Sequence, residues 1–335
     1  MTDLIIVGAG PIGLEAAIAA KRAGLSYRVF DKGAIVQAIV DYPTYMTFFT
    51  TSERLEIGGH PLVTATDKPT RKEALDYYRK VVQNEALEVA TYTEVTDVRR
   101  VQDGFEVETR DRFGRTERMR ARSVALATGY FDNPNLLGVP GEELPHVSHA
   151  YDEAHPWFGR DVAIVGAGSS AADAALDLFR GGARVTMVHR GDDFRFSLKY
   201  WIRPNLENRV KEGSIDVHFR TVVRRVEPDA LICEREGREL RIPAERVYLL
   251  TGYHASTDLL ERLGAEIDPG TLAAKLDRHY QSTVPGLYCL GSAGFGRRTS
   301  DVFIENGLTH VAAAIPHVAD RSRALGTAGA ASAPA

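Results

Sequence analysis

The sequence is poor in the residues that announce several common functions. It has two cysteines in 335 residues, Cys233 and Cys289. Two distant thiols exclude a disulfide-stapled scaffold, leave no Cys-x-x-Cys pair, and fit a reducing compartment. No metal site is expected. No apolar run approaches the roughly 20 residues that cross a bilayer. The first 20 residues are apolar after Asp3, but no basic segment precedes them, so no signal peptide is expected. Excess positive charge is also missing. The net charge is −4 with 26% charged residues, which argues against a nucleic-acid partner. The hydrophobic content of 44% and the length leave room for two domains with their own cores. These absences point to a soluble cytoplasmic protein.

What is present is a pair of glycine-rich fingerprints, each after a strand-like run. Gly8-Ala9-Gly10-Pro11-Ile12-Gly13 follows Leu4-Ile5-Ile6-Val7. Gly166-Ala167-Gly168-Ser169-Ser170-Ala171 follows Val162-Ala163-Ile164-Val165. In such a motif the first glycine turns the chain out of the strand. The second lets a pyrophosphate approach the backbone, and the third lets the helix pack closely on the sheet. Two fingerprints in one chain suggest two nucleotides, the layout of an enzyme that passes hydride from a nicotinamide to a flavin.

The two units end differently. Tyr27-Arg28-Val29-Phe30 reads as the second strand of the first unit, with Asp31 at its end. A carboxylate there accepts from ribose hydroxyls and repels a 2′-phosphate, so this site fits FAD or NAD(H) and not NADP(H). In the second unit the strand Arg184–Val188 runs into His189-Arg190. Arg190 can hold a 2′-phosphate through charge-assisted bonds, and His189 can stack on adenine. Arg195 and Lys199 can close the same pocket, diluted by Asp192 and Asp193. This site reads as NADPH.

Between the fingerprints, Thr70-Arg71-Lys72-Glu73 forms a capping box that opens a helix to about Glu85. Strands over 94–101, 105–110 and 117–120 read as an antiparallel meander, and 123–129 as a separate buried strand ending in Thr128-Gly129. Residues 133–141 read as a linker. A hairpin is expected at 232–234 and 240–242. Strands are expected at 247–252, ending at Gly252, and at 287–292, ending at Gly291-Ser292. A closing helix runs over 302–317. The domains are then 1–136 with 251–325 for FAD, and 137–250 for NADPH, with a disordered small-residue tail at 326–335. The fold class is α/β, two Rossmann-like dinucleotide-binding domains of three layers (ββα). Tyr42, Phe48 and Phe49 are candidates for a wall beside the flavin, and Thr50 and Thr51 for flavin or phosphate contacts.

The order of fingerprint, meander, Ala127-Thr128-Gly129, second fingerprint, His189-Arg190-x4-Arg195 and terminal Gly291 resembles the thioredoxin reductase-type flavoproteins. More narrowly, four segments resemble the bacillithiol disulfide reductase family. They are Tyr42-Pro43-Thr44-x3-Phe48-Phe49, Leu55-Glu56-Ile57-Gly58, Lys199-x-Trp201-x2-Pro204 and Ile304-Glu305-Asn306-Gly307. The resemblance implies a homodimer with FAD and NADPH, acting in low-molecular-weight thiol balance in bacteria. It adds Lys32, Val95 and Ile304 to the FAD residues. Three departures stand out. The second unit has no Cys-x-x-Cys. Ile12 occupies a fingerprint position where many members carry cysteine. Ser292 stands where related flavoproteins place an aspartate.

No protein nucleophile is therefore expected, and Cys233 and Cys289 read as small core residues. The expected acceptor is a small-molecule disulfide or a small redox protein. The competing readings are a ferredoxin or flavodoxin reductase, a flavin monooxygenase, and an NADPH-sensing flavoprotein. The monooxygenase reading rests on Gly141-x4-His146-x2-His149-x-Tyr151, with Val139 where that family has phenylalanine.

Overall fold

A computed structural model describes residues 1–196 and 198–331, with side chains to Leu325. The chain divides into two compact units. The first comprises 1–40, 46–133 and 253–335, and the second 41–45 with 134–252. The short segment Asp41–Tyr45 belongs to the second unit, a placement with no local signal in the sequence.

The first unit is built on a seven-stranded sheet. The parallel strands Thr2–Val7, Tyr27–Phe30 and Val89–Ala90 lie side by side, with Leu4 opposite Tyr27 and Val29 opposite Val89. Their β-branched and aliphatic residues suit a sheet buried on both faces. Thr116–Leu126 is one continuous strand, where two separate strands are expected from the sequence. Its first half pairs antiparallel with Gly104–Asp111, and its second half runs parallel beside Thr2–Val7 and Leu287–Cys289. The strand is largely exposed up to Arg120, buried at Ala121 and continuously buried from Ser123. The chain thus passes from a half-exposed edge to a covered core without a turn.

Three layers result. Ile5, Val7, Val124, Leu126 and Leu287 share a buried cluster with Val98, Phe105 and Val107 of the antiparallel strands. The helices Pro11–Arg22 and Ile304–Ala331 pack on each other, and the latter packs on Thr2–Val7. The capping box at Thr70 and Glu73 is formed and starts the helix Arg71–Asn84. The closing helix runs through Ala331, beyond the expected end at 317 and into the segment read as a disordered tail. Alanine's helix propensity carries the backbone through Gly326 and Gly329. Residues 332–335 of that tail lie outside the described residues.

The second unit repeats the plan. Its five-stranded sheet orders Ile215–His218, Arg184–Val188, Asp161–Val165, Arg246–Leu249 and Val147–Ser148, all parallel. The helix Ser169–Arg180 covers it with Ala171, Ala172, Ala174, Ala175, Leu176 and Leu178. A separate antiparallel sheet joins Thr221–Glu227, Ala230–Arg235 and Arg238–Pro243, with Cys233 opposite Leu240.

Candidate functional sites

The fingerprint of the first unit forms a tight strand-to-helix turn. Gly8 has φ +108°, and a Cβ there would run into the Ala127 carbonyl group, 2.7 Å from its carbon. A Cβ on Gly13 would collide with the Gly8 carbonyl oxygen. Both glycines are thus demanded by the protein itself. Gly10 is different. Its φ of −71° suits any residue, and apart from its own neighbours no described atom lies within 4 Å of where a Cβ would stand. Nothing among the described residues calls for glycine there. Gly10 also caps the 12-residue helix Pro11–Arg22, with no side-chain cap among the described residues. Its first N–H groups and positive dipole end face that space.

The second fingerprint has the same three features. Gly166, at φ +142°, would meet the Leu250 carbonyl, 3.1 Å from its carbon. Ala171 takes the place of the third glycine and lies 3.3 Å from that same hypothetical Cβ. Gly168 has φ −89°, and the nearest described atom to its would-be Cβ is Arg195 Cδ at 4.0 Å. It caps the 12-residue helix Ser169–Arg180, again with no side-chain cap among the described residues. Ser169 and Ser170 are that helix's first two residues. Each unit therefore carries a cradle in which a middle glycine with open space beside it caps a helix N-terminus.

The strand ends tell the cradles apart. Asp31 Oδ2 accepts the Ala9 N–H at 2.6 Å, and Oδ1 accepts the Gly33 N–H at 2.8 Å. Burial pushes the carboxyl upward, opposed by these two bonds. The pair ties Asp31 to the fingerprint loop and leaves lone pairs for ribose hydroxyls. Lys32 pairs with Asp132 at 3.0 Å. In the second unit, the Arg195 N–H donates to the Ala167 carbonyl at 3.1 Å, and the Lys199 N–H to Ser169 Oγ at 3.3 Å. The loop after His189-Arg190 thus folds back onto its fingerprint. Burial lowers the basicity of His189, as do the charges of Arg190 and Arg195.

Around the first cradle, Thr128 is exposed and Gly129 sits at φ +69° beside open space. Gly291, at φ +62°, faces Ile12. Ser292 is half-buried on the turn Gly291–Gly294, and Ile304 begins the closing helix. Val95 packs against the cluster containing Val7 and Phe30. Phe48 is buried, whereas Phe49 is 42% exposed. The Thr51 hydroxyl donates to Glu53 at 2.7 Å. Tyr42 falls in the segment Asp41–Tyr45 of the second unit. Gly252 closes the other cradle's strand at φ +91°, with Asn135 Nδ2 3.3 Å from its would-be Cβ.

Two features escape a linear reading. Tyr130 stacks on Phe131 at 4.8 Å, and Tyr253 tilts against Phe131 at 5.2 Å. Both tyrosines follow a Thr-Gly pair, Thr128-Gly129 and Thr251-Gly252, which is a signal the sequence did contain. His310 is buried, stacked on Tyr280 at 3.8 Å and on Phe295 at 5.6 Å. It is hydrogen-bonded to the Gly291 backbone, and burial drops its pKa to about 4. Its Nδ1 has no hydrogen-bond partner among the described residues.

Both cysteines are buried in the core. Burial pushes each thiol up to about 12, so neither supplies a thiolate at neutral pH. No group of three or more His, Cys, Asp or Glu able to hold a metal occurs among the described residues. Among those residues no helix is long and apolar enough to cross a membrane.

Residues 5–291 match the pyridine nucleotide-disulphide oxidoreductase family. The bacilliredoxin reductase Bdr of Bacillus subtilis (strain 168) is 38% identical over 309 residues, covering 91% of this chain and 94% of its own. The structure of a bacillithiol disulfide reductase Bdr from Bacillus cereus superposes with a TM-score of 0.93 at 39% identity, covering 96% of this chain and 99% of its own. The thioredoxin reductase of T. acidophilum superposes with a TM-score of 0.73 at 19% identity, covering 95% of this chain and 98% of its own. The architecture is that of the thioredoxin reductase-like flavoproteins.

Proposed function

Because this chain belongs to the pyridine nucleotide-disulphide oxidoreductase family, in the group of the Bdr reductases, we propose that it reduces a low-molecular-weight disulfide of the bacillithiol type with NADPH. It is an oxidoreductase of FAD and NADPH. The overall reaction consumes NADPH, one proton and the disulfide, and yields NADP⁺ and two thiols. FAD, when bound, would supply the two-electron relay between the nicotinamide and the disulfide.

The observation that carries this reading is the contrast between two like cradles. Each offers an open slot beside its middle glycine and a helix N-terminus. One ends in Asp31 and the other in His189-Arg190. Asp31 suits ribose hydroxyls and turns away a 2′-phosphate, which excludes NADPH from the first cradle and leaves it to FAD once the second is taken by NADPH. Arg190, with Arg195 and Lys199, receives the extra phosphate, which assigns the second to NADPH. Gly8 and Gly13 shape the turn of the first slot, and Thr128, Gly129, Gly291, Ser292 and Ile304 are its candidate border. The chain contributes binding and orientation, while its own thiols remain protonated and buried.

The names of the two Bdr relatives point to different acceptors, bacilliredoxin in one and bacillithiol disulfide in the other. The two buried, protonated thiols of this chain favour the small disulfide, which needs no protein thiol relay. The reading extends to a homodimer working in the cytoplasm, on the strength of the resemblance and of two cysteines kept as thiols. The test is reoxidation of the NADPH-reduced holoenzyme by bacillithiol disulfide, a bacilliredoxin disulfide, ferredoxin, flavodoxin or oxygen. Fastest turnover with the small disulfide supports the proposal. Turnover with ferredoxin or flavodoxin alone overturns it.

A further inference from the structure

We propose that Arg220, on the strand next to the His189-Arg190 end, is a further determinant of NADPH selectivity and contacts the 2′-phosphate together with Arg190. The inference rests on the assignment of the second cradle to NADPH.

Three ties bring Arg220 to that end. The strand Ile215–His218 lies beside Arg184–Val188, with His218 opposite Val188. Beyond the ladder the backbones stay joined. His189 N–H donates to the His218 carbonyl at 2.9 Å, Thr221 N–H to the His189 carbonyl at 3.0 Å, and Arg220 N–H to the Gly191 carbonyl at 2.8 Å. The rings of Phe194 and Phe219 meet edge to face at 5.1 Å. Arg195 and Arg220 are the residues that follow these rings, so the aromatic pair draws their two chain segments together.

The charge pattern is compatible with the same place. Several arginines elsewhere in this unit are matched, Arg184 with Asp161, Arg203 with Asp193, Arg224 with Glu234, Arg225 and Arg241 with Glu227, whereas Arg180, Arg238 and Arg246 have no carboxylate partner among the described residues. Arg190, Arg195 and Arg220 have no carboxylate partner among the described residues. Arg235, opposite Thr221 in the small sheet, has none either, and its charge lowers the basicity of His218. Asp192 is the acidic residue that acts on His189 in this loop. A concentration of unmatched guanidinium groups at the end of the second strand of a dinucleotide fold suits a dianionic phosphate. Arg220 also holds φ +52°, a conformation that L side chains adopt at a cost. A glycine would satisfy the backbone better at this position.

The strained backbone supplies a clean test. Arg220→Gly removes the guanidinium, retains the N–H that bonds Gly191, and relieves the turn. Binding of NADPH, NADH, 2′,5′-ADP and 5′-ADP to the holoprotein is measured by calorimetry, with Arg224→Ala as the control. The expected result is a loss of about tenfold for NADPH and 2′,5′-ADP relative to NADH and 5′-ADP, with a shallower salt dependence. The control keeps the wild-type ratio. If Arg190→Ala lowers the ratio and Arg220→Gly leaves it unaltered, Arg220 is not a determinant. If neither changes it, the assignment of this cradle to NADPH fails as well.

Discussion

Ile12 lies against Gly291. A Cβ on Gly291 would stand 3.2 Å from Ile12 Cγ1, and one on Gly307 would stand 2.9 Å from Ile12 Cδ1. The branched side chain thus fills the gap between the first fingerprint, the Gly291 turn and the closing helix. It occupies the fingerprint position at which many members of the resembled family carry cysteine, and it packs closely on the two glycines. Reduction of a disulfide by this chain has to proceed without a cysteine at the fingerprint.

The electron count follows. Anaerobic titration of the holoenzyme is expected to reach full reduction at one NADPH per FAD, where an enzyme with a redox-active dithiol takes two. Cys233→Ser with Cys289→Ser is expected to titrate identically. Burial keeps both thiols protonated up to about pH 12, so neither is a nucleophile at pH 7. Uptake of a second equivalent that disappears in the double variant would refute this account.

The glycines of the first fingerprint should separate folding from cofactor retention. Gly8→Ala places a methyl group at φ +108° against the Ala127 carbonyl and should destabilise the apoprotein by at least about 2 kcal/mol. Gly10→Val enters space that the protein leaves open, at an ordinary φ, and should alter apoprotein stability by no more than about 1 kcal/mol. It should nevertheless release FAD. Urea unfolding of the apoproteins and the flavin absorbance after gel filtration give the two readouts. Stable FAD binding by Gly10→Val would mean that the slot is not the pyrophosphate site.

Arg190→Ala is expected to erode the preference for NADPH over NADH. Loss of a charged contact to the phosphate costs about 1–3 kcal/mol, or roughly 5- to 150-fold in discrimination. The ratio of kcat/KM values for the two coenzymes reads this directly. An unaltered ratio would remove Arg190 from the pocket.

The parts legible in the sequence were those specified by neighbours in the chain. The fingerprint glycines, the capping box at Thr70 and Glu73, and the strands Tyr27–Phe30 and Leu287–Cys289 each carry their reason within a few residues. The strand Thr116–Leu126 was harder, because its two halves serve different partners and only the assembled sheet makes them one. Arg220 and His310 were invisible for a related reason. Arg220 acquires meaning from a bond to Gly191, 29 positions earlier, and His310 from contacts with Tyr280, Gly291 and Phe295. No periodicity in the helix Ile304–Ala331 marks one buried histidine as different from an ordinary core residue.

His310 should impose an acid limit on the first unit. Its pKa in the folded protein is about 4, and an unfolded histidine titrates near 6.5. Between these values the unfolded chain binds the extra proton, so unfolding is favoured as pH falls. The contribution is fully present above about pH 6.5 and is lost progressively towards pH 4, to the extent of about 3 kcal/mol. Protonation would bury a charge between Tyr280 and Phe295, beside the Gly291 turn that borders the candidate FAD slot. Flavin release should therefore accompany the loss of stability. His310→Phe keeps an aromatic ring in the stack and cannot take up the proton. Its stability is expected to be lower than wild type at pH 7.5, through loss of the Gly291 bond, but flatter between pH 6.5 and 4.5. Chemical denaturation across that range, with flavin fluorescence recorded alongside, tests the slope. A variant that loses stability with falling pH as steeply as the parent would show that the acid limit is set by another group.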